Sequence, residues 1–187
     1  MRETRWKARA PGWLNTAMMI RTALPAERET VGELRVLAYN AQGLLDASPS
    51  YADTLRDLGW QGRDEVLVAV ADERVVGTVV FVPWGPHCEV ARGPDEAEVR
   101  AFAVDPSAQR RGVGAALVRA VVEQAEGEGV SRLVLCTRTV MTGAQRLYEA
   151  HGFVRLPERD WEPVPGVDLL AYGLVLKDRP ALLEPAS

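Results

Sequence analysis

Between residues 98 and 137 the chain changes character in an order that leaves few choices of fold. Residues 98–104 read as a strand, and the segment Gln109-Arg110-Arg111-Gly112-Val113-Gly114-Ala115 follows it. Val113, Leu117, Val121 and Ala125 then recur at four-residue intervals, with Val118 and Val122 beside them, as the apolar stripe of a helix does. Gly127 and Gly129 stop that helix, and 132–137 is almost continuously apolar, the pattern of a central strand covered on both faces. Strand, glycine-containing loop, helix and strand make a parallel crossover unit, so the fold class is α/β.

The flanks supply the rest of the sheet. Residues 18–22 read as a short strand closed by Pro25. In the helix that follows, Thr30 and Glu33 have capping-box spacing, and Val31, Leu34, Leu37, Ala38 and Leu45 form a discontinuous apolar face. Ser48-Pro49 looks like an N-cap with proline behind it, and Tyr51, Leu55 and Leu58 then share a helical face. Residues 65–71 and 75–82 are β-branched runs around Asp72-Glu73-Arg74, which predicts an antiparallel hairpin. Thr142 and Gln145 again have capping-box spacing; Ala144, Leu147, Tyr148 and His151 share one face, and Gly152 falls where a left-handed cap is needed. Residues 153–156 and 167–176 complete the strands, parted by a proline-rich loop containing Trp161.

A chain of 187 residues with 47% apolar and 26% charged residues can bury one core. One domain is expected over 18–177, between an extension at 1–17, disordered or an upstream start, and a tail at 178–187. Arg2, Arg5, Lys7 and Arg9 against Glu3 give the extension +3, leaving −7 for the rest of a chain whose net charge is −4. Such an acidic body disfavours a grip on nucleic acid, and no apolar run reaches the ~20 residues that span a bilayer. Neither nucleic acid nor membrane is an expected partner. The two cysteines, Cys88 and Cys136, cannot make a disulfide framework, which fits a reducing cytoplasm; Cys136 sits in an apolar run as a buried free thiol. His87, Cys88 and His151 lack ligand spacing, so no metal is expected.

The loop before the helix suits an anion. Glycines let the backbone approach a ligand, and the N–H groups of the first helical turn point at it with the positive end of the helix dipole. A Walker loop needs Gly-Lys followed by Ser or Thr, which Gly114-Ala115-Ala116 does not supply. In the dinucleotide fingerprint a third glycine would fall at Leu117, and the connection 105–111 is too long for its tight turn.

Gln109-Arg110-Arg111-Gly112-Val113-Gly114 instead resembles the Arg/Gln-x-x-Gly-x-Gly/Ala signature of the GCN5-related N-acetyltransferase superfamily. Val104-Asp105-Pro106 before the loop and Leu147-Tyr148-Glu149-Ala150-His151-Gly152-Phe153 downstream extend the resemblance over about 18–176. It implies a single-domain fold, a mostly antiparallel six- to seven-stranded mixed sheet whose central parallel pair splays to admit acetyl-CoA, the cosubstrate. By position Phe102, Ala103 and Val104 would pair with pantetheine, with the Val104 N–H polarising the thioester carbonyl. Gln109, Arg110, Arg111, Gly112, Val113, Gly114 and Ala115 would hold the diphosphate.

The resemblance also implies two catalytic residues. Glu98, 14 positions before Gly112, matches in place the general base of one branch of the superfamily, and Tyr148 matches a tyrosine set near the departing sulfur. An ordinary glutamate of pKa ~4.3 would take a proton from an ammonium of pKa ~10.4 at a cost of about 8 kcal/mol, so a water-mediated base is easier to defend. Asp95 and Glu96 are expected to raise its pKa by like-charge repulsion. Proton transfer from Tyr148 to a thiolate is uphill by about 2 kcal/mol, which favours a hydrogen bond. The plainer readings are a solvated acidic strand end for Glu98 and a core ring for Tyr148. Where many relatives carry asparagine the chain has Met141, which is expected only to pack. An acyl-cysteine route is disfavoured, because Cys88 has no carboxylate orienter and Cys136 is strand core.

The acceptor is expected to be a small-molecule or peptide amine. Glu89, Asp95, Glu96, Glu158, Asp160 and Glu162 make the surrounding loops acidic, which would attract a cationic amine or be a solvated surface. Trp84 and Trp161 are candidate pocket walls, and a homodimer is an allowed assembly. The competing function is a regulatory module that binds acyl-CoA without turnover; a dinucleotide-binding domain is the third reading.

Overall fold

The computed structural model of the protein describes residues 18–176 and, as backbone, Trp6–Lys7. The rest of the extension at 1–17 and the tail at 178–187 lie outside the described residues. Among those residues one mixed sheet contains β1 (Trp6–Lys7), β2 (Met19–Thr22), β3 (Glu65–Ala71), β4 (Arg74–Pro83), β5 (Glu96–Val104), β6 (Arg132–Arg138), β7 (Val154–Arg155) and β8 (Leu169–Val175). Their order is β1-β2-β3-β4-β5-β6-β8-β7. β1 and β7 are two residues long; the other strands are those expected from the sequence. Only β5 and β6 pair in parallel, at the centre, and every other neighbour is antiparallel.

The β3–β4 turn is made by Asp72 and Glu73 at φ 50° and 61°, the left-handed pair whose twist suits a two-residue hairpin. One face of the sheet is covered by α3 (Val113–Gly127) and α4 (Thr142–Ala150). There Val113, Leu117, Val121 and Ala125 of α3 pack on Leu67, Val79, Val99, Leu133 and Leu135. The other face carries α1 (Arg28–Asn40) and α2 (Tyr51–Asp57), with Val31, Val36 and Leu55 against Val66, Val68, Val80 and Val82. Each of β3 to β6 therefore has apolar side chains on both faces.

Both expected capping boxes are absent, for tertiary reasons. A 3-10 turn at Pro25–Glu27 starts the first helix a turn earlier, so Thr30 is already inside it. Glu27 accepts the Leu24 N–H at 2.8 Å and grips Arg21. In α4, Gln145 spends its amide on the carbonyls of Arg138 and Thr139, each at 3.0 Å, which ties the helix to the end of β6. Ser50, not Ser48, precedes α2. Gly152 has φ 88°, as its left-handed cap requires.

Candidate active site

β5 and β6 begin together and then part. Parallel pairing runs from Glu96↔Arg132 to Val99↔Leu135 and stops, although β5 continues to Val104 and β6 to Arg138. Beyond that point β5 pairs with β4 alone and β6 with β8 alone. The divergence coincides with a bulge in which three steps on β5 oppose two on β4, between Val80↔Arg100 and Thr78↔Ala103. Ala101 sits in this bulge at φ 46°, left-handed backbone that a residue with a Cβ rarely adopts.

The bulge leaves β5 with a free edge. The Asp105 N–H goes to Val76 O at 2.9 Å, and the Ala103 carbonyl oxygen lies 3.3 Å from where a Cβ on Gly77 would stand. In planar trans peptides the N–H and C=O point in opposite directions, so both the N–H and the C=O of Val104 face away from β4 and into the gap. Phe102 flanks the same gap with its ring edge-on to Tyr148, centroids 5.8 Å apart.

At the end of the gap the chain turns into α3. Asp105 accepts the Ser107 N–H at 2.8 Å and its hydroxyl at 2.6 Å, which folds 106–108 into a 3-10 turn. Arg110 and Gly112 then take φ 59° and 79°. No N–H from 109 to 115 donates to another described residue; the first bond of the helix is Ala116 N–H to Gly112 O. The side chains of Gln109, Arg110 and Arg111 are exposed. Gly112 has no heavy atom within 4 Å of a built Cβ, whereas one on Gly114 would meet Leu147 Cδ2 at 3.1 Å. Gly112 serves conformation, and Gly114 lets α3 approach α4.

Glu98 is the third residue of β5, not its exposed start, and is 1% accessible. The solvated reading is excluded. Its Oε1 accepts the N–H groups of Val90, through a short bond, and of Ala91 at 2.7 Å; Oε2 has no partner among the described residues. The next N–H, of Arg92, goes to Glu96 Oε2 at 2.8 Å. Three consecutive amides thus hold two carboxylates on one face of β5. Glu96 itself is not raised as the neighbouring carboxylates led one to expect: burial alone would raise its pKa, but Arg159, at 2.7 and 2.8 Å, with the Arg92 amide and Arg132, pulls it below the ordinary carboxylate value.

Tyr148 is a core ring, as its plainer reading had it, and also lines a cavity. Its ring is 4% accessible, in contact with Phe102, Phe153 and Tyr172, and burial pushes its hydroxyl well above the usual tyrosine pKa. The hydroxyl makes no hydrogen bond to another described residue yet is not fully enclosed, so it opens on a cavity that Tyr148 lines. Met141 does more than pack: its sulfur accepts the Thr137 hydroxyl at 3.5 Å.

That cavity lies where the strands part, on the α1/α2 face of the sheet, and reaches through the opening to Phe102 and Tyr148. Tyr39, Leu44 and Tyr51 wall it on one side, and Trp161, Val164, Val167 and Leu169 on the other. Glu98 and Arg100 of β5 and Cys136 and Arg138 of β6 line its floor. Of the two candidate tryptophans Trp161 lines it; Trp84, half exposed, does not. Sequence reasoning missed Arg100 and Arg138. The available signal was charge in runs whose neighbours are apolar. Cys136, expected as core, is partly exposed to the cavity, and burial pushes its thiol up to about 11, which leaves it protonated and a weak nucleophile at neutral pH. Cys88, outside the cavity lining, is also raised by burial. Among the described residues no three His, Cys, Asp or Glu side chains are grouped to hold a metal, and no helix is long and apolar enough to cross a membrane.

Residues 33–153 match the model of the Acetyltransferase (GNAT) family. The chain belongs to that family. Its GNAT domain is 32% identical over 123 residues to a mycothiol acetyltransferase of Brachybacterium faecium, a match covering 63% of this chain and 36% of that protein. The matches to the curated relatives span about a third to a half of those proteins' length. A GNAT-family acetyltransferase of Staphylococcus aureus Mu50 superposes with a TM-score of 0.69 at 17% identity, over 86% of this chain and 100% of that one. A Salmonella typhimurium structure described with acetyl-CoA as its cofactor gives 0.60 at 22% identity, over 88% and 96%. These likenesses carry the fold; the acceptor is a separate question.

Proposed function

We propose that this GNAT domain transfers an acetyl group from acetyl-CoA to a primary amine by direct attack. The observation that supports this reading best is the parting of β5 and β6 beside a run of amides, 109–115, that no described residue accepts from. The residues fit the cosubstrate. A narrow amide chain can take the place of a neighbouring strand along Phe102, Ala103 and Val104, with the Val104 N–H as the donor left for one of its carbonyls. A diphosphate matches the amides of 109–115, the helix N-terminus and the exposed Arg110 and Arg111.

Acetyl-CoA supplies an acyl group already activated as a thioester. A water held by Glu98 Oε2, the oxygen not taken by backbone amides, passes the ammonium proton on to solvent, because leaving it on an ordinary carboxylate is steeply uphill. The amine nitrogen then bonds to the acyl carbon as the C–S bond breaks, and its second proton passes to the departing sulfur. The products are an amide, the CoA thiol and one proton released to solvent. Tyr148, made harder to ionise by burial, keeps its proton and donates a hydrogen bond to the departing sulfur. The protonated Cys136 thiol argues for direct attack over an acyl-enzyme.

Titration calorimetry with acetyl-CoA, followed by thiol release against polyamines, amino acids and peptide N-termini, tests the reading. Uptake with amine-dependent release is expected. No uptake overturns it, and uptake without release across the panel favours the regulatory module.

A further inference from the structure

Three carboxylates around the cavity are already paired with arginines. Glu89 pairs with Arg100, Glu96 with Arg159, and Asp160 with Arg155 at 2.7 Å, while Glu162 accepts the Gly166 N–H at 2.6 Å. The acidic loops expected to draw in a cation are therefore neutralised at Glu89, Glu96 and Asp160, while Asp95 and Glu162 have no cationic partner among the described residues. Arg138 is the exception on the positive side. It closes β6 on the cavity floor, and among the described residues it has no carboxylate partner. Nη1 donates to Leu44 O at 3.2 Å and Nη2 to Gly166 O at 3.4 Å, which aims the guanidinium between the segment after α1 and the loop 161–168. Two neutral carbonyls use part of a fork with five N–H donors and cancel none of its charge. On the same floor Glu98 presents an Oε2 with no partner among the described residues. Leu44, Trp161, Val164 and Val167 give the space between them apolar walls.

We propose that the acceptor is a primary amine that also carries a carboxylate, of the amino-acid type with an apolar body: its nitrogen turned to Glu98 and its carboxylate gripped by Arg138. This rests on the acetyl-transfer reading and adds the substrate class. Such a zwitterion matches one unpaired carboxylate and one unpaired guanidinium in the same cavity, whereas a polyamine would bring a second positive charge toward Arg138.

The test compares acids with the amines that lack only the carboxyl group: L-leucine with 3-methylbutylamine, β-alanine with ethylamine, and 4-aminobutanoate with propylamine. Thiol release at saturating acetyl-CoA is expected to show kcat/KM at least about tenfold higher for the acid in one or more pairs. In Arg138→Gln that ratio falls toward one, through KM more than kcat; Arg138→Lys, which keeps the charge and loses the fork, falls between. If the carboxylate-free amines react as well in every pair, or Arg138→Gln leaves the ratio unchanged, the inference is overturned while acetyl transfer stands. Should Arg138→Gln fail to fold, the wild-type pairs decide alone. Should acetyl-CoA bind and no amine release thiol, transfer is wrong, and calorimetry of the CoA-loaded chain with the same pairs decides. Uptake of an acid over its partner keeps the carboxylate site; uptake of neither, or equal uptake of both, removes it.

Discussion

The ring and the hydroxyl of Tyr148 answer to different neighbours, so they can be separated by one oxygen atom. Tyr148→Phe keeps the contacts with Phe102, Phe153 and Tyr172 and loses only the donor facing the cavity. It should melt within a degree or two of the wild type, keep its affinity for acetyl-CoA, and lose on the order of a hundredfold in kcat, the usual effect of deleting one donor to developing charge. A large drop in melting temperature with unchanged kcat would mean that Tyr148 is core alone. Glu98→Gln makes the complementary case. The amide oxygen can still accept from Val90 and Ala91, so the strand stays in place while the proton acceptor is gone. Since an alkylamine of pKa ~10.4 supplies its own free base as pH rises, the variant should be slowest near neutral pH and recover toward the wild type by about pH 9 to 10. A loss that does not vary with pH would assign Glu98 a positioning role only. Both positions were singled out in the sequence by the family resemblance, which implies a carboxylate at 98 and a tyrosine at 148. The burial of Glu98, and the amides that hold it, come from 90–92, which has no pattern of its own.

At the scale of elements, the crossover from β5 through α3 to β6 depends on a glycine in the strand next door. A Cβ on Gly77 of β4 would lie 2.8 Å from Val113 Cγ1 and 3.0 Å from Leu117 Cδ1, so this gap in the sheet surface is what seats the first turn of α3. Gly77→Ala should cost roughly 1–3 kcal/mol by denaturant unfolding. It should also weaken acetyl-CoA binding in calorimetry, because the displaced turn carries the amides of 113–115. Gly112→Ala meets no atom and strains only φ, so it should cost about 1 kcal/mol with a proportionally larger loss of affinity than of stability. The order of strands and helices could be read from periodicity, since the repeats of α3 and the unbroken apolar run of β6 both report burial. The caps at Thr30 and Thr142 could not, because Glu27 and Gln145 found better partners in Arg21 and the end of β6. Nor could the bulge at Ala101, the feature that accompanies the parting of the strands: no glycine or proline marks it, and its left-handed backbone is imposed by pairing with β4.

For the molecule as a whole, the site and the fold share one buried ion pair. Glu96 and Arg159, with side chains 7% and 8% accessible, join the start of β5 to the turn at Pro157–Arg159. Arg159 also donates to Val90 O at 3.2 Å, and the amides of 90–92 hold Glu96 and Glu98 in turn. Because the folded protein holds the Glu96 carboxyl below the ordinary ~4.3, the stability it contributes is complete above that value and is lost as pH falls through the lower folded pKa. Asp160, lowered chiefly by its hydrogen bond from Arg155, shifts stability in the same direction, although it is partly exposed and weighs less. Glu96→Gln should therefore be less stable than the wild type at pH 7 by roughly 3 kcal/mol, since it leaves the Arg159 charge buried without its partner. Thermal melts of the two proteins should converge as the pH falls through the lowered pKa of Glu96 in the folded protein, where the wild type protonates the same carboxyl. The segment 90–92 loosens with the pair, so turnover in Glu96→Gln should drop at neutral pH even though Glu96 is not among the residues lining the cavity. Melting curves that stay parallel down to pH 3 would show that this ion pair does not set the acid limit of the fold.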